Sequence, residues 1–81
     1  MLMAQISTAS IKRIEKTRNA LHEKVNSTDT VFEKDGSKYF QLDTYGRVDR
    51  ENPEKISQSI QLDEEMARYL VRLLISEFNL I

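Results

Sequence analysis

The spacing of hydrophobic and polar residues near the start of the chain predicts a helix. Between positions 11 and 25 the apolar residues recur at intervals that keep them on one side of a helix, with Arg18 completing the register: Ile11, Ile14, Leu21 and Val25. This spacing is typical of a helix with a narrow apolar stripe. Ser7, Thr8 and Ser10 are candidate N-cap residues, because their hydroxyls accept from unpaired backbone N–H groups. We predict a helix over residues 7–26.

Two β-rich runs then flank Asp35-Gly36. This dipeptide favours a two-residue type I′ turn, in which both central residues have positive φ. The pairs opposed across such a turn are Glu33–Lys38, Phe32–Tyr39 and Val31–Phe40. A three-residue loop would shift this register. We predict a hairpin over residues 30–43, followed by a loop over 44–55.

The segment ISQSIQL, residues 56–62, alternates as a strand does. Ile56, Ile60 and Leu62 fall on one face, with Gln58 as a polar member. Ser57, Ser59 and Gln61 fall on the other face.

The final predicted helix covers residues 64–79. Asp63 is a candidate N-cap, and two glutamates follow it in the first turn, where the helix dipole favours negative charge. Apolar residues occupy both flanks of a narrow polar stripe: Met66, Ala67, Leu70, Val71, Leu73, Leu74, Ile75 and Phe78. A helix apolar around most of its circumference needs cover on more than one side. We therefore predict that the chain forms a homodimer, or a higher homo-oligomer, through this helix.

The predicted order of elements is α-β-β-β-α. It indicates an α+β fold with a small three-stranded antiparallel sheet and both helices packed on one face. The 81 residues suffice for a single domain, 1–81, with a modest core. Small domains often depend on oligomerisation, and the absence of cysteine removes disulfides as an alternative.

Composition excludes several classes of function. The net charge of −1 lacks the basic excess of a duplex-DNA binder, although residues 1–26 carry five Lys or Arg against two Glu. No apolar run approaches the roughly 18 residues of a membrane span, and MLMAQI is too short and uncharged for a signal peptide. We expect a cytoplasmic protein without membrane contact.

Candidate catalytic groups are scarce. His22 is the single histidine, it lies in a charged segment, and no serine lies in a G-x-S-x-G pattern. The carboxylates of Asp43, Asp49, Glu51 and Glu54 match no metal-binding loop spacing. We expect no enzyme activity, no catalytic residue, no metal and no cofactor.

The stretch TYGRVDRENPEKISQS, residues 44–59, holds the strongest candidate site. Long irregular connections in small domains are uncommon and often functional. Guanidinium, ammonium and hydroxyl groups beside a glycine suit a phosphate, and an aromatic ring can stack on a base. The acids Asp49, Glu51 and Glu54 would have to point away. The predicted anion site consists of Tyr45, Gly46, Arg47, Arg50, Lys55, Ser57 and Gln58.

A structural role explains the same residues. Asp43 and Arg50 would form an ion pair that fixes the loop, and Gln58 would hydrogen-bond to the loop backbone from the sheet. Removing one partner of a buried pair of this kind is strongly destabilising. The two readings are compatible with each other.

Residues 39–70 resemble a group of short, poorly characterised bacterial and phage-borne proteins with the core hLQLDTYGS..R..PGK.SQ.IQ.DE..A..L, where h is apolar. Some of these proteins carry the name methionyl-tRNA formyltransferase, but this chain lacks the length and the Asn-His-Asp chemistry of that enzyme. Arg47 replaces a serine of the core and Glu54 replaces a glycine. The resemblance implies that the signature of the group lies at these matching positions: Gln41, Leu42, Asp43, Thr44, Tyr45, Gly46, Arg50, Pro53, Lys55, Ser57, Gln58, Ile60 and Gln61.

Two functions follow as hypotheses. The first is a non-catalytic oligomeric binding protein that sequesters a phosphate-bearing molecule such as a nucleotide signal, as a phage anti-defence protein would. The second is a protein-interaction module or inhibitor that acts on a host or regulatory protein. It would use Phe32 and Tyr39 or the basic helix face formed by Lys12, Arg13 and Lys16. Contact of that basic helix with nucleic acid is a less favoured variant.

Overall fold

The computed structural model describes residues 2–46 and 55–81, which form a four-stranded sheet and one helix. The elements are β1 (Leu2–Ile6), β2 (Ser27–Lys34), β3 (Ser37–Tyr45), β4 (Ile56–Leu62) and α1 (Glu64–Phe78). The strand order is β1-β4-β3-β2. β1 runs parallel to β4, and the other neighbours are antiparallel. The architecture is a small α+β fold with a mixed sheet.

The hairpin of β2 and β3 has the predicted turn and register. Asp35 and Gly36 both have positive φ, 53° and 80°, as a type I′ turn requires. Glu33 pairs with Lys38, and the register continues without a shift to Ser27 opposite Thr44. The hairpin is therefore longer than residues 30–43 at both ends.

The predicted helix over residues 7–26 is wrong, because this segment contains no helix. A short turn joins Ser7 to Ser10, and the rest is irregular. Most of its side chains are exposed, and Leu21 is fully exposed. A helix of this length draws most of its stability from packing of its apolar stripe, and here Ile14 and Leu21 of the predicted stripe are exposed.

The sheet is also larger than predicted. β1 adds a fourth strand at the edge, with Leu2 opposite Gln58 and Ile6 opposite Leu62. The three predicted strands are present, and each is antiparallel to its neighbour among them, but the sheet has four strands and is mixed, and the described residues contain one helix where two were predicted. The pattern of residues 2–6 gave no strand signal, because its alternation of polar and apolar side chains is weak.

α1 begins and ends with the expected chemistry. The Asp63 carboxylate accepts from the backbone N–H of Met66 at 2.8 Å. Asn79 ends the helix in the left-handed conformation, with φ of 54°. Met66 and Leu62 are buried, and α1 meets the sheet at this point on β4. Beyond its first turns the helix contributes little to the core.

Alternation along the paired strands gives the sheet two different faces. The polar face carries mostly amides, hydroxyls and one carboxylate: Met3, Gln5, Thr28, Thr30, Phe32, Tyr39, Gln41, Asp43, Ser59 and Gln61. The apolar face carries mostly aliphatic and aromatic side chains: Leu2, Ala4, Ile6, Val31, Phe40, Leu42, Ile60 and Leu62. Within the described part of the chain, no helix has the length and apolar character needed to cross a membrane.

Candidate functional site

A row of hydrogen-bonded side chains crosses the polar face on β3 and β4. Gln61 donates through Nε2 to Oε1 of Gln41 at 2.7 Å. Gln41 donates through Nε2 to both carboxylate oxygens of Asp43, at 2.9 and 3.1 Å. The Ser59 hydroxyl donates to Asp43 Oδ1. We call Gln41, Asp43, Ser59 and Gln61 the polar row.

Strand register brings the polar row together. Asp43 lies opposite Ser59, and Gln41 lies opposite Gln61. Side chains directly opposite in an antiparallel pair have their Cβ atoms about 5 Å apart. Asp43 and Ser59 are buried, with 6% and 4% of their surface exposed. A buried carboxylate requires donors, and Gln41 and Ser59 supply them.

The Asp43 carboxylate determines how the amide groups of the polar row are oriented. An ionised carboxylate only accepts hydrogen bonds, so the nitrogen of the Gln41 amide must face it. The Gln41 oxygen then faces Gln61, which must present its own nitrogen. Gln61 uses one N–H in this bond, and an amide side chain also carries a second N–H and an acceptor oxygen. The Gln61 amide can therefore offer a donor and an acceptor at the outer end of the row.

A cavity of about 240 Å³ lies at the outer end of the row, between β1 and β4. Gln61, Ser59, Gln5 and Met3 line it together with Ala4. Gln5 lies opposite Gln61 in the parallel register, so two amide side chains flank the same space. The cavity can therefore hold a small polar group against amide donors and acceptors.

Aromatic side chains occupy both ends of the polar face. The rings of Phe32 and Tyr39 stack with centroids 5.4 Å apart at an angle of 23°. At the opposite end of β3, the Tyr45 hydroxyl shares a hydrogen bond of 3.0 Å with Thr28 Oγ1. Flat surfaces thus lie beyond the polar row in both directions along the strands.

The predicted anion-site residues Tyr45 and Ser57 lie near an irregularity in the β3–β4 ladder. Thr44 pairs with Gln58 and Tyr45 pairs with Ile56, which leaves Ser57 as the extra residue of a bulge on β4. The bulge places Ile56 opposite Tyr45 and breaks the simple alternation expected for residues 56–62. Tyr45 and Ser57 are half-buried.

The other predicted site residues are less closely grouped. Gly46 is half-buried after β3, and Lys55 is exposed just before β4. Gln58 is exposed opposite Thr44 and Leu2, on the side of the sheet away from Asp43. Arg47 and Arg50 lie outside the described residues, as does the predicted Asp43–Arg50 ion pair. The structure thus brings Tyr45 and Ser57 together and separates Gln58 from the polar row.

Gln41, Asp43, Ser59 and Gln61 were not among the predicted site residues. The sequence carries a signal for them, because polar residues alternate on one side of ISQSIQL and recur two apart in QLD. That signal becomes a site only once the register between β3 and β4 is known.

The basic face expected near the N-terminus is not formed, because Lys12, Arg13 and Lys16 do not lie on a helix. Arg13 instead makes an exposed ion pair of 3.0 Å with Glu77 of α1. His22 is exposed. Among residues 2–46 and 55–81, no three side chains of the metal-ligating types His, Cys, Asp and Glu come together.

Comparison with known proteins gives no relative: no protein-family model, no curated protein and no solved structure matches the chain.

Proposed function

We propose that this protein is a non-catalytic binding protein whose polar sheet face holds a small, phosphate-bearing molecule such as a nucleotide. This proposal is based on the polar row. Its buried carboxylate fixes the orientation of Gln41 and Gln61 before any ligand arrives. Preorganised polar groups beside a cavity favour binding, because little ordering remains to be done when the ligand enters.

The outer end of the row suits a nucleobase. Beyond its bond to Gln41, the Gln61 amide carries an acceptor oxygen and a second N–H donor, and Gln5 lies opposite it on β1. A glutamine amide pairs with two adjacent groups on an adenine edge, the exocyclic amino group and the neighbouring ring nitrogen. An adenine-type base is therefore the part of the ligand whose hydrogen-bonding groups best match the cavity at Gln61.

The phosphate end of the ligand would lie toward Tyr45, Ser57 and Lys55. Of the cationic residues predicted for the site, Lys55 is the one that lies among the described residues, exposed just before β4. Lys55 precedes Gln61 by six positions on an extended strand, which corresponds to about 20 Å. A ligand that contacts both ends must therefore be extended, as a nucleotide with several phosphates or two linked nucleotides is.

Sequestration of a nucleotide signal is the biological role that we propose for this binding. The sequence resemblance to phage-borne proteins supports the anti-defence setting. The alternative role, an interaction module acting on another protein, draws support from the stacked rings of Phe32 and Tyr39 on the polar face.

A pair of matched variants on β4 tests the binding proposal. Gln61→Leu removes the polar end of the row, whereas Gln58→Leu makes the same change on the other side of the strand. Titration calorimetry with adenine nucleotides and linear and cyclic dinucleotides should show binding to the wild type. Gln61→Leu should weaken it at least tenfold, about 1.4 kcal/mol, and Gln58→Leu should leave it unchanged. Equal losses in both variants would contradict a site on the polar face.

A further inference from the structure

The chain exposes far more surface than a folded monomer of its mass. Its accessible surface is 7462 Å² for 9.5 kDa, whereas a monomeric protein of that mass exposes about 5,000 Å². The Cα radius of gyration is 14.9 Å, against about 12 Å for a compact domain of this length. About 2,400 Å² per chain is therefore in excess.

One part of the exposed apolar surface lies on the sheet. Four side chains, one from each strand, are exposed on the apolar face: Leu2, Val31, Leu42 and Ile60. Val31 is 58% exposed and Leu42 is 43% exposed. α1 does not cover them, because it meets the sheet near Leu62 at the end of β4. The apolar face therefore lacks the helix that a two-layer α+β fold places over it.

The other part lies on α1 itself. Val71, Leu74 and Phe78 follow one another at intervals of three and four residues, so they form a stripe along one side of the helix. Val71 is 55% exposed and Phe78 is 69% exposed. The chain thus carries an uncovered sheet face and an uncovered helix stripe.

The two uncovered surfaces are comparable in size. The helix stripe runs from Val71 to Phe78, which is about 10 Å along the helix axis. The four exposed sheet residues lie one on each of four neighbouring strands, which is about 14 Å across the sheet. A helix that crosses the sheet at this point would therefore bring its stripe against these side chains.

We propose that two copies of this chain pair by a two-fold axis, with α1 of each copy packed on the apolar face of the other copy's sheet. A two-fold contact is self-complementary, so a single arrangement covers both surfaces on both copies. A foreign partner would need separate surfaces for the sheet and for the helix. Part of the excess surface comes from the exposed segment 7–26. Burial of half of the excess on each copy would still give an interface of about 2,400 Å² in total, which falls in the range of obligate dimers.

The first test is the mass of the assembly in solution. Light scattering on the purified full chain should give twice the 9.5-kDa chain mass at micromolar concentration. A monomer would overturn the proposal, since both apolar surfaces would then be stable in water. A mass of three or more chains would overturn the two-fold pairing.

Two charge-introducing variants separate this arrangement from a dimer in which helices contact only each other. Leu42→Lys alters the sheet face, and Phe78→Glu alters the helix stripe. Each variant alone should lose the dimer, whether it remains folded as a monomer or unfolds. Leu21→Lys is the matched control, because Leu21 is fully exposed outside both surfaces, and it should remain dimeric.

Mixing the two variants gives the decisive result. In the mixed dimer, one helix–sheet contact is wild type. The other contact carries both substitutions, so one of the two contacts is intact in the mixed dimer, whereas each variant alone has both contacts damaged. The dimer should therefore be recovered on mixing. A dimer held by helix–helix contact alone would survive Leu42→Lys and would not be restored by mixing. Either of these outcomes overturns the proposed pairing, independently of whether the protein binds a ligand.

Discussion

Gln41 donates through Nε2 to both carboxylate oxygens of Asp43, at 2.9 and 3.1 Å, on a buried part of the sheet. This pair connects the stability of the fold to the chemistry of the polar face. Because it is buried, the Asp43 carboxylate requires a hydrogen-bond donor. The Gln41 amide supplies that donor, and its oxygen then accepts from Gln61 Nε2.

The first prediction concerns the donor to Asp43. Gln41→Met keeps the length of the side chain and removes its N–H groups. Because a buried acceptor then loses a partner, the free energy of unfolding should fall by about 1–3 kcal/mol. Urea unfolding of the variant measures this loss.

Thr30→Val is the control for that measurement, since Thr30 is exposed on the polar face opposite Gln41 and lies outside the proposed dimer interface. Its free energy of unfolding should stay within about 0.5 kcal/mol of the wild type. A similar loss in both variants would show that the Gln41–Asp43 contact contributes no more to the free energy of unfolding than an exposed side chain does.

The second prediction concerns the hairpin turn. Gly36 has φ of +80°, and a Cβ added there would meet no atom within 4 Å. Gly36→Ala should therefore destabilise through backbone strain alone, by about 1–2 kcal/mol. Thermal unfolding monitored by circular dichroism measures the shift. An unchanged Tm would mean that the turn does not keep this conformation in solution.

The third prediction concerns the start of α1. Asp63→Ala removes the acceptor for the Met66 N–H, a bond of 2.8 Å, and should reduce stability by about 0.5–2 kcal/mol. Asp63→Ser should retain most of the wild-type stability, because a serine hydroxyl caps the same N–H group. If serine and alanine behave alike in urea unfolding, the cap does not stabilise the helix.

The fourth prediction concerns the ion pair between Arg13 and Glu77. Their side chains are 58% and 51% exposed, so screening by water leaves the pair worth less than about 1 kcal/mol. Glu77→Gln should change the free energy of unfolding only slightly, and the difference should vanish in about 1 M salt. A larger, salt-independent loss would mean that this contact holds the irregular segment in place.

The parts of the fold predicted from sequence are those with local signals. Asp35-Gly36 determined the turn and, through it, the register of the hairpin. The alternation of residues 56–62 identified β4, and Asp63 marked the first residue before α1. In each case, the residues that give the signal lie within a few positions of the turn, strand or helix start that they determine.

The errors arose where distant parts of the chain decide the structure. The spacing of Ile11, Ile14, Leu21 and Val25 predicts a helix only if a partner surface covers that stripe. β1 pairs with a strand more than 50 residues away, so its own short pattern did not identify it. The bulge at Ser57 changes the side of the sheet on which Ile56 lies, and strict alternation of residues does not predict this change.

The predicted candidate site lies partly outside the described residues. Tyr45 and Ser57 lie at the irregularity in the β3–β4 ladder. Gln58 lies on the side of the sheet away from the polar row because strand alternation separates it from its neighbours. The polar row was missed because its four residues come from two strands, and their contacts depend on the β3–β4 register. The proposed roles of Arg47 and Arg50 stay predictions.

The central claim is that the polar face binds a nucleotide, and side-chain amide NMR tests it most directly. The NH₂ signals of Gln41 and Gln61 report on the row itself, and the NH₂ signal of Gln58 reports on the other side of the same sheet. Titration with the panel of adenine nucleotides and dinucleotides should shift Gln41 and Gln61 saturably and leave Gln58 unmoved. If no member of the panel shifts Gln41 or Gln61, or if only Gln58 responds, the polar face is not a nucleotide site.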